Sequence, residues 1–104
     1  MNLDNMTKDE RSLLLYLETR AVDYGGTVDT RRMNKEDFEI AKGWNESGFL
    51  KFGRIKFHDI NPASHATHWC ELSDEAWKLA HQERKRRCLR IMSKHTFGKV
   101  GVNK

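Results

Sequence analysis

Cysteine is scarce in this chain: Cys70 and Cys88 are the only two in 104 residues. That count excludes a disulfide framework, and a reducing cytoplasmic setting is the expectation. Long apolar runs are missing as well. The longest, Leu13 to Leu17, is five residues, far short of a membrane span. The opening stretch Met1–Arg11 is polar and acidic, with none of the apolar character of a secretion signal. Glycine-rich phosphate loops, nucleophile elbows and paired-acid motifs are absent, so neither an enzyme nor a cofactor is expected. Acid disappears late in the chain: residues 84–104 hold eight Lys or Arg and no Asp or Glu.

What is present suits one domain, with 38% hydrophobic, 33% charged and 10% aromatic residues. Trp, Phe and Leu are too frequent for a chain disordered throughout. Residues 1–83 carry eleven basic against fifteen acidic groups, a net of −4, whereas residues 84–104 carry +8. An acidic body with a basic arm is the layout of a polyanion binder. A solvated arm that keeps the chain soluble is the plainer alternative.

The periodicity predicts three helices and three short strands. Thr7-Lys8-Asp9-Glu10 is a capping box, and Leu14, Leu17, Ala21 and Tyr24 then recur on one helical face, widened by Leu13. Gly25-Gly26 stops this helix. Thr27 to Met33 alternates and holds β-branched residues, which predicts a short strand. Asn34 caps a second helix with the stripe Phe38, Ala41 and Trp44, ended by Gly48 with Phe49 folding back. Residues 49–58 read as a strand whose apolar parity changes at Gly53, which predicts a β-bulge or a bend there. The loop 61–67 leads to the returning strand His68–Leu72, and Ser73 caps a last helix with the stripe Ala76, Trp77 and Ala80. One core is expected from Leu14, Leu17, Ala21, Phe38, Ala41, Trp44, Ile55, Phe57, Leu72, Trp77 and Ala80. Residues 1–6 read as a tail, 7–92 as the domain and 93–104 as a basic flexible tail.

Two junctions carry a resemblance: Trp44-Asn45-Glu46-Ser47-Gly48-Phe49-Leu50 and Trp69-Cys70-Glu71-Leu72-Ser73-Asp74-Glu75-Ala76-Trp77. A helix ending in glycine before a hairpin, and a returning strand running into a capped helix, resemble a winged-helix (winged helix-turn-helix-like) domain. The pattern is similar to bacterial and phage regulators and to small phage and prophage proteins. The resemblance implies an α+β fold of order α-β-α-β-β-α with a basic C-terminal helix. In one respect the chain departs from it. Only 22 residues, Thr27 to Gly48, lie where the family has a strand and two helices, so its scaffold helix shrinks to a turn near Arg31-Arg32 or is missing. The helix in the recognition position carries Glu36, Asp37, Glu39 and Glu46 against Lys35 and Lys42, which opposes phosphate approach.

Nucleic-acid contacts are therefore sought elsewhere. Arg54 and Lys56, with His58, share one strand parity, and Lys51 and His65 lie near the wing. Trp69 either points outward beside this row, to stack on a base or meet a partner, or is buried in the core. Arg31 and Arg32 are candidate phosphate ligands, or merely a solvated edge. Arg84, Lys85, Arg86, Arg87 and Arg90 belong to the arm, and no acid is expected to balance Arg84 to Arg87, so the last helix is expected to project past Glu83. Its strip Cys88, Ile91 and Met92 suits helix-to-helix dimerisation. His58, His65, His68 and Cys70 cluster in sequence but match no zinc spacing, so no metal is expected. Two functions follow from this reading. One is a regulatory protein binding double-stranded DNA through the basic helix and wing, as a homodimer with no membrane association. The other is a phage-type protein–protein interaction module acting on a host protein as inhibitor or adaptor.

Overall fold

The computed structural model describes residues 1–94. Helix α1 spans Lys8–Asp23, β1 Thr27–Val28, α2 Lys35–Ser47, β2 Leu50–Arg54, β3 His68–Leu72 and α3 Asp74–Lys94. The chain is thus α+β, with three α-helices beside an antiparallel sheet of order β1-β3-β2. Among the described residues no helix is long and apolar enough to cross a membrane.

The helix ends follow from local chemistry. Thr7 Oγ1 accepts from the Glu10 amide at 3.1 Å, and Glu10 returns the bond to the Thr7 amide at 2.7 Å. Asn34 and Asp37 build the same reciprocal box at the start of α2. Such a cap is worth about 1 kcal/mol. At the end of α2, Gly48 takes φ 83°, a left-handed conformation that glycine adopts without Cβ strain. The Phe49 amide then donates to the Trp44 carbonyl at 3.1 Å, and the two rings pack with centroids 5.3 Å apart. Ser73 starts α3 by accepting from the Ala76 amide, while its hydroxyl donates to the Phe49 carbonyl at 2.6 Å.

Elements between the helices depart from the sequence reading. The strand expected over residues 27–33 is only Thr27–Val28; Asp29 caps a single 3-10 turn over Thr30–Arg32 instead. Strand β2 ends at Arg54, and its register with β3 runs unbroken from Leu50↔Leu72 to Arg54↔His68, so there is no bulge at Gly53. Gly53 has a different role. A Cβ there would meet the Trp69 ring at 2.9 Å, so the indole lies directly over the missing side chain. The parity change in the sequence marks the end of the strand rather than a bend within it. Beyond Arg54 the chain enters the β2–β3 loop, which contains a further 3-10 turn, Phe57–Asp59.

The core gathers Leu14, Leu17, Ala41, Trp44, Leu72 and Ala80 as expected, with Ala21 and Phe38 packed against it. Three expected members are not in the cluster. Phe57 is 86% exposed on the β2–β3 loop, Ile55 is only half-buried, and Trp77 is 37% exposed. Trp77 is displaced because α3 buries Ala76, Leu79, Ala80 and Glu83, an arc that turns position 77 toward solvent. The first six residues are not a loose tail: Leu3 and Met6 are both in the core. Of the basic tail expected over 93–104, the part beyond Lys94 lies outside the described residues.

Candidate nucleic-acid interface

The arm residues form an internal clasp between α3 and the start of the chain. Glu83 is 1% exposed and receives Arg87 Nε at 2.6 Å, Arg90 Nη2 at 3.5 Å and Arg11 Nε at 3.9 Å. Arg84 pairs through Nε with Glu18, and its Nη2 donates to the Leu15 carbonyl and, at 2.7 Å, to the Thr19 hydroxyl. Arg86 reaches Asp4 at 3.1 Å. The expectation that no acid balances this run is therefore wrong. The balancing acids are distant in sequence, on α1 and the segment before it, with Glu83 within α3 itself. A buried carboxylate is stable only when paired and hydrogen-bonded, and three guanidinium groups meet that need here. Lys85 alone of this run makes no ion pair among the described residues.

Past Arg87 no side chain of α3 is buried. Cys88, Ile91 and Met92 are exposed, as is Leu89, with Ile91 at 55% and Leu89 at 56%. Helix α3 runs on to Lys94, so the strip lies on its exposed surface past Glu83.

On the sheet, Cys70 and Leu72 point inward and Trp69 outward, 36% exposed, which resolves the two readings of Trp69. Its neighbours differ from those expected. Trp69 pairs with Gly53 and Thr27, and Lys51 shares its face opposite Glu71. Arg54 has the other parity, opposite His68 and in line with Leu50 and Phe52. Arg54 and Trp69 are thus on opposite faces, and the polar row Arg54, Lys56, His58 is broken when the strand ends.

His68 sits in an aromatic group, stacked on Phe52 with centroids 5.3 Å apart and edge-on to Phe38 at 5.6 Å. Burial lowers its pKa, and the Arg54 charge adds to the shift. Its Nδ1 shares a hydrogen bond with Thr67 Oγ1 at 2.9 Å, and Thr67 meets Thr30 at 3.1 Å. The end of the β2–β3 loop is therefore pinned to the turn Thr30–Arg32. At that turn Arg31 grips Asp29 through two bonds of 3.0 and 2.9 Å. These bonds hold the Asp29 carboxyl down to about 2, and His65 contributes a smaller pull. Arg31 is consequently engaged with its own neighbour, whereas Arg32 makes no side-chain hydrogen bond or ion pair among the described residues.

The candidate residues thus fall in four places: Arg54, Lys56 and His65 on and beside the β2–β3 loop, Lys51 and Trp69 on the outward sheet face, Arg31 and Arg32 on the turn, and the basic run of α3. Phe57 is a surface residue that the sequence reading missed, having assigned it to the core by strand alternation. The Asp59 and Ile60 amides close its 3-10 turn on the Lys56 and Phe57 carbonyls at 2.8 and 3.4 Å, so Phe57 lies past the end of β2 and outside its alternation. His68 and Cys70 share one face of β3, and among the described residues no three His, Cys, Asp or Glu converge to hold a metal. No known protein family, curated protein or solved structure matches the chain.

Proposed function

We propose that this chain is a small winged-helix DNA-binding protein of the regulatory kind, in which the wing makes the leading contact. The order α1-β1-α2-β2-β3-α3 and the sheet order β1-β3-β2 support the winged-helix reading. In it the turn Thr30–Arg32 stands where the scaffold helix would be. The observation that carries the function is the wing itself. Arg54, Lys56 and His65 are exposed there without ion-pair partners among the described residues, around a Phe57 that is 86% exposed. Cations free of internal partners release counterions on meeting phosphates, and an exposed ring suits insertion between bases in a minor groove. Helix α2, with its acidic surface, is kept away from the backbone. The α3 arginines support the fold first, leaving Lys85 as the freest cation of the run.

Dimerisation through Cys88, Ile91 and Met92, extended by Leu89, would set two wings on one duplex. A titration of duplex DNA with the full chain tests the function. Binding should fall steeply between about 50 and 200 mM salt. Lys56→Ala and Phe57→Ala should each weaken it, while the fold keeps its unfolding midpoint. No binding at low salt rejects the proposal.

A second reading, a protein-binding module that acts on a host protein, draws on the apolar α3 end and the acidic α2. Sedimentation of the full chain with Ile91→Glu beside it separates self-association from a surface reserved for another protein. A monomer at about 100 µM, far above a micromolar dissociation constant, rejects the homodimer.

A further inference from the structure

Between α1 and the turn Thr30–Arg32 lies a cavity of about 380 Å³, lined by Tyr16, Thr19, Arg20, Tyr24, Asp29 and Arg32. Each of the six side chains carries a hydrogen-bonding group, so the distribution of satisfied and unsatisfied groups indicates what the cavity accepts. The Asp29 carboxylate and carbonyl and the Thr19 hydroxyl are already engaged. The Asp29 carboxylate is held by Arg31, and the Asp29 carbonyl accepts the Tyr16 hydroxyl at 2.7 Å. The Thr19 hydroxyl donates to Leu15 at 3.0 Å and accepts from Arg84 at 2.7 Å.

Donors remain. Arg20 uses only Nε, on the Thr27 carbonyl at 2.7 Å, which leaves both Nη groups without partners among the described residues. The whole guanidinium of Arg32 is in the same condition. Arg20 is also held in place, its Cζ 3.6 Å from the centroid of the Tyr24 ring. Both cations are felt at one point: burial raises the Tyr16 pKa, Arg20 pulls it down, Asp29 opposes that pull, and Arg32 adds a weaker downward one. Two guanidinium forks, beside a single carboxylate that Arg31 already pairs, make a site for an anion.

We propose that this cleft binds a small phosphate monoester of about the size of a nucleoside monophosphate, with Arg20 and Arg32 on the phosphate. A dianion with three terminal oxygens uses two forks, whereas a carboxylate is satisfied by one. The volume lies at the lower end of the range for small-molecule sites, about 300–1,000 Å³, and leaves space for the organic part of the ester. Tyr24, 53% exposed, offers its ring to that part. The site belongs to α1 and the turn, and is independent of DNA binding by the wing.

Calorimetric titration of the full chain with adenosine 5′-monophosphate, inorganic phosphate and adenosine tests this. The monophosphate should bind with a dissociation constant below about 1 mM, at least tenfold tighter than phosphate, and adenosine should give no signal. Arg32→Gln, at an exposed position with no side-chain partner, should weaken the monophosphate at least tenfold without moving the unfolding midpoint. Lys78→Gln, an exposed cation of α3 outside the cleft, should leave binding unchanged. Absence of binding up to about 5 mM overturns the proposal, as does equal weakening by Arg32→Gln and Lys78→Gln. Undiminished affinity in Arg32→Gln overturns it too.

Discussion

The indole of Trp69 rests on Gly53, its cross-strand partner, so closely that a Cβ at position 53 would lie 2.9 Å from Nε1 and Cζ2. A glycine in a strand interior is ordinarily a weakness, but here the large neighbour covers the backbone that the glycine exposes.

Gly53→Ala should therefore destabilise the domain. Clash with a rigid ring outweighs the gain from a less flexible unfolded chain, for a net loss of about 1–2 kcal/mol. Chemical denaturation measures the loss, and the Trp69 indole N–H resonance should shift as the ring lifts.

Glu83→Gln should cost about 1.5–3 kcal/mol, the range for hydrogen bonds to a charged group. The amide keeps the shape but leaves Arg11, Arg87 and Arg90 facing one another without their shared anion. Thermal unfolding of the variant at low and high salt checks this, because added salt should recover part of the loss.

The two helical tryptophans should respond in opposite ways. Trp44, 4% exposed, loses about 3–5 kcal/mol on replacement by alanine. Trp77, at 37%, should lose no more than about 1 kcal/mol. Urea midpoints of the two variants make the comparison.

That contrast also shows what the sequence could and could not reveal. Helix ends were legible because a cap is a local affair: Thr7 with Glu10, Asn34 with Asp37 and Gly48 with Phe49 each lie within three residues. The choice between Trp77 and Leu79 was not legible, since both neighbour the α3 stripe and α1 decides which is covered. Alternation past Gly53 misled in the same way, extending a strand that loses its partner at His68. The arm was misread for a stronger reason. Its partners Asp4 and Glu18 are more than sixty residues away, and charge counted along a chain does not show pairing across it.

Two titrations should shape stability below neutrality. Burial, reinforced by Arg54, places the His68 pKa below its ordinary 6.5. The unfolded chain then takes up the proton first, so stability declines as pH falls from about 6.5. Hydrogen bonds from Arg31 lower Asp29 from 3.8 to about 2, so its contribution is complete above pH 3.8 and is lost as pH falls toward 2. His68→Phe should flatten the first decline and Asp29→Asn the second, in melting temperatures recorded from pH 8 to 2.

The thiols should differ in reactivity. Burial pushes Cys70 up to about 11, and its Sγ faces the Leu17 carbonyl at 3.6 Å, whereas Cys88 is exposed. Because the thiolate is the reactive form, a disulfide reagent should label Cys88 within minutes and Cys70 only in denaturant. Mass spectrometry of the labelled peptides decides it.

Leu3 and Met6 lie in the same core as Leu79 and Ala80, and Arg86 holds Asp4 across 82 positions of sequence. A chain emerging from the ribosome must therefore wait for its last helix before its first residues find their place. Until α3 arrives, α1 and the sheet have no cover on that side, and the nascent chain exposes leucines that a chaperone would recognise. Contacts this far apart raise the contact order of an otherwise helix-rich domain, so refolding should be slower than its helix content suggests.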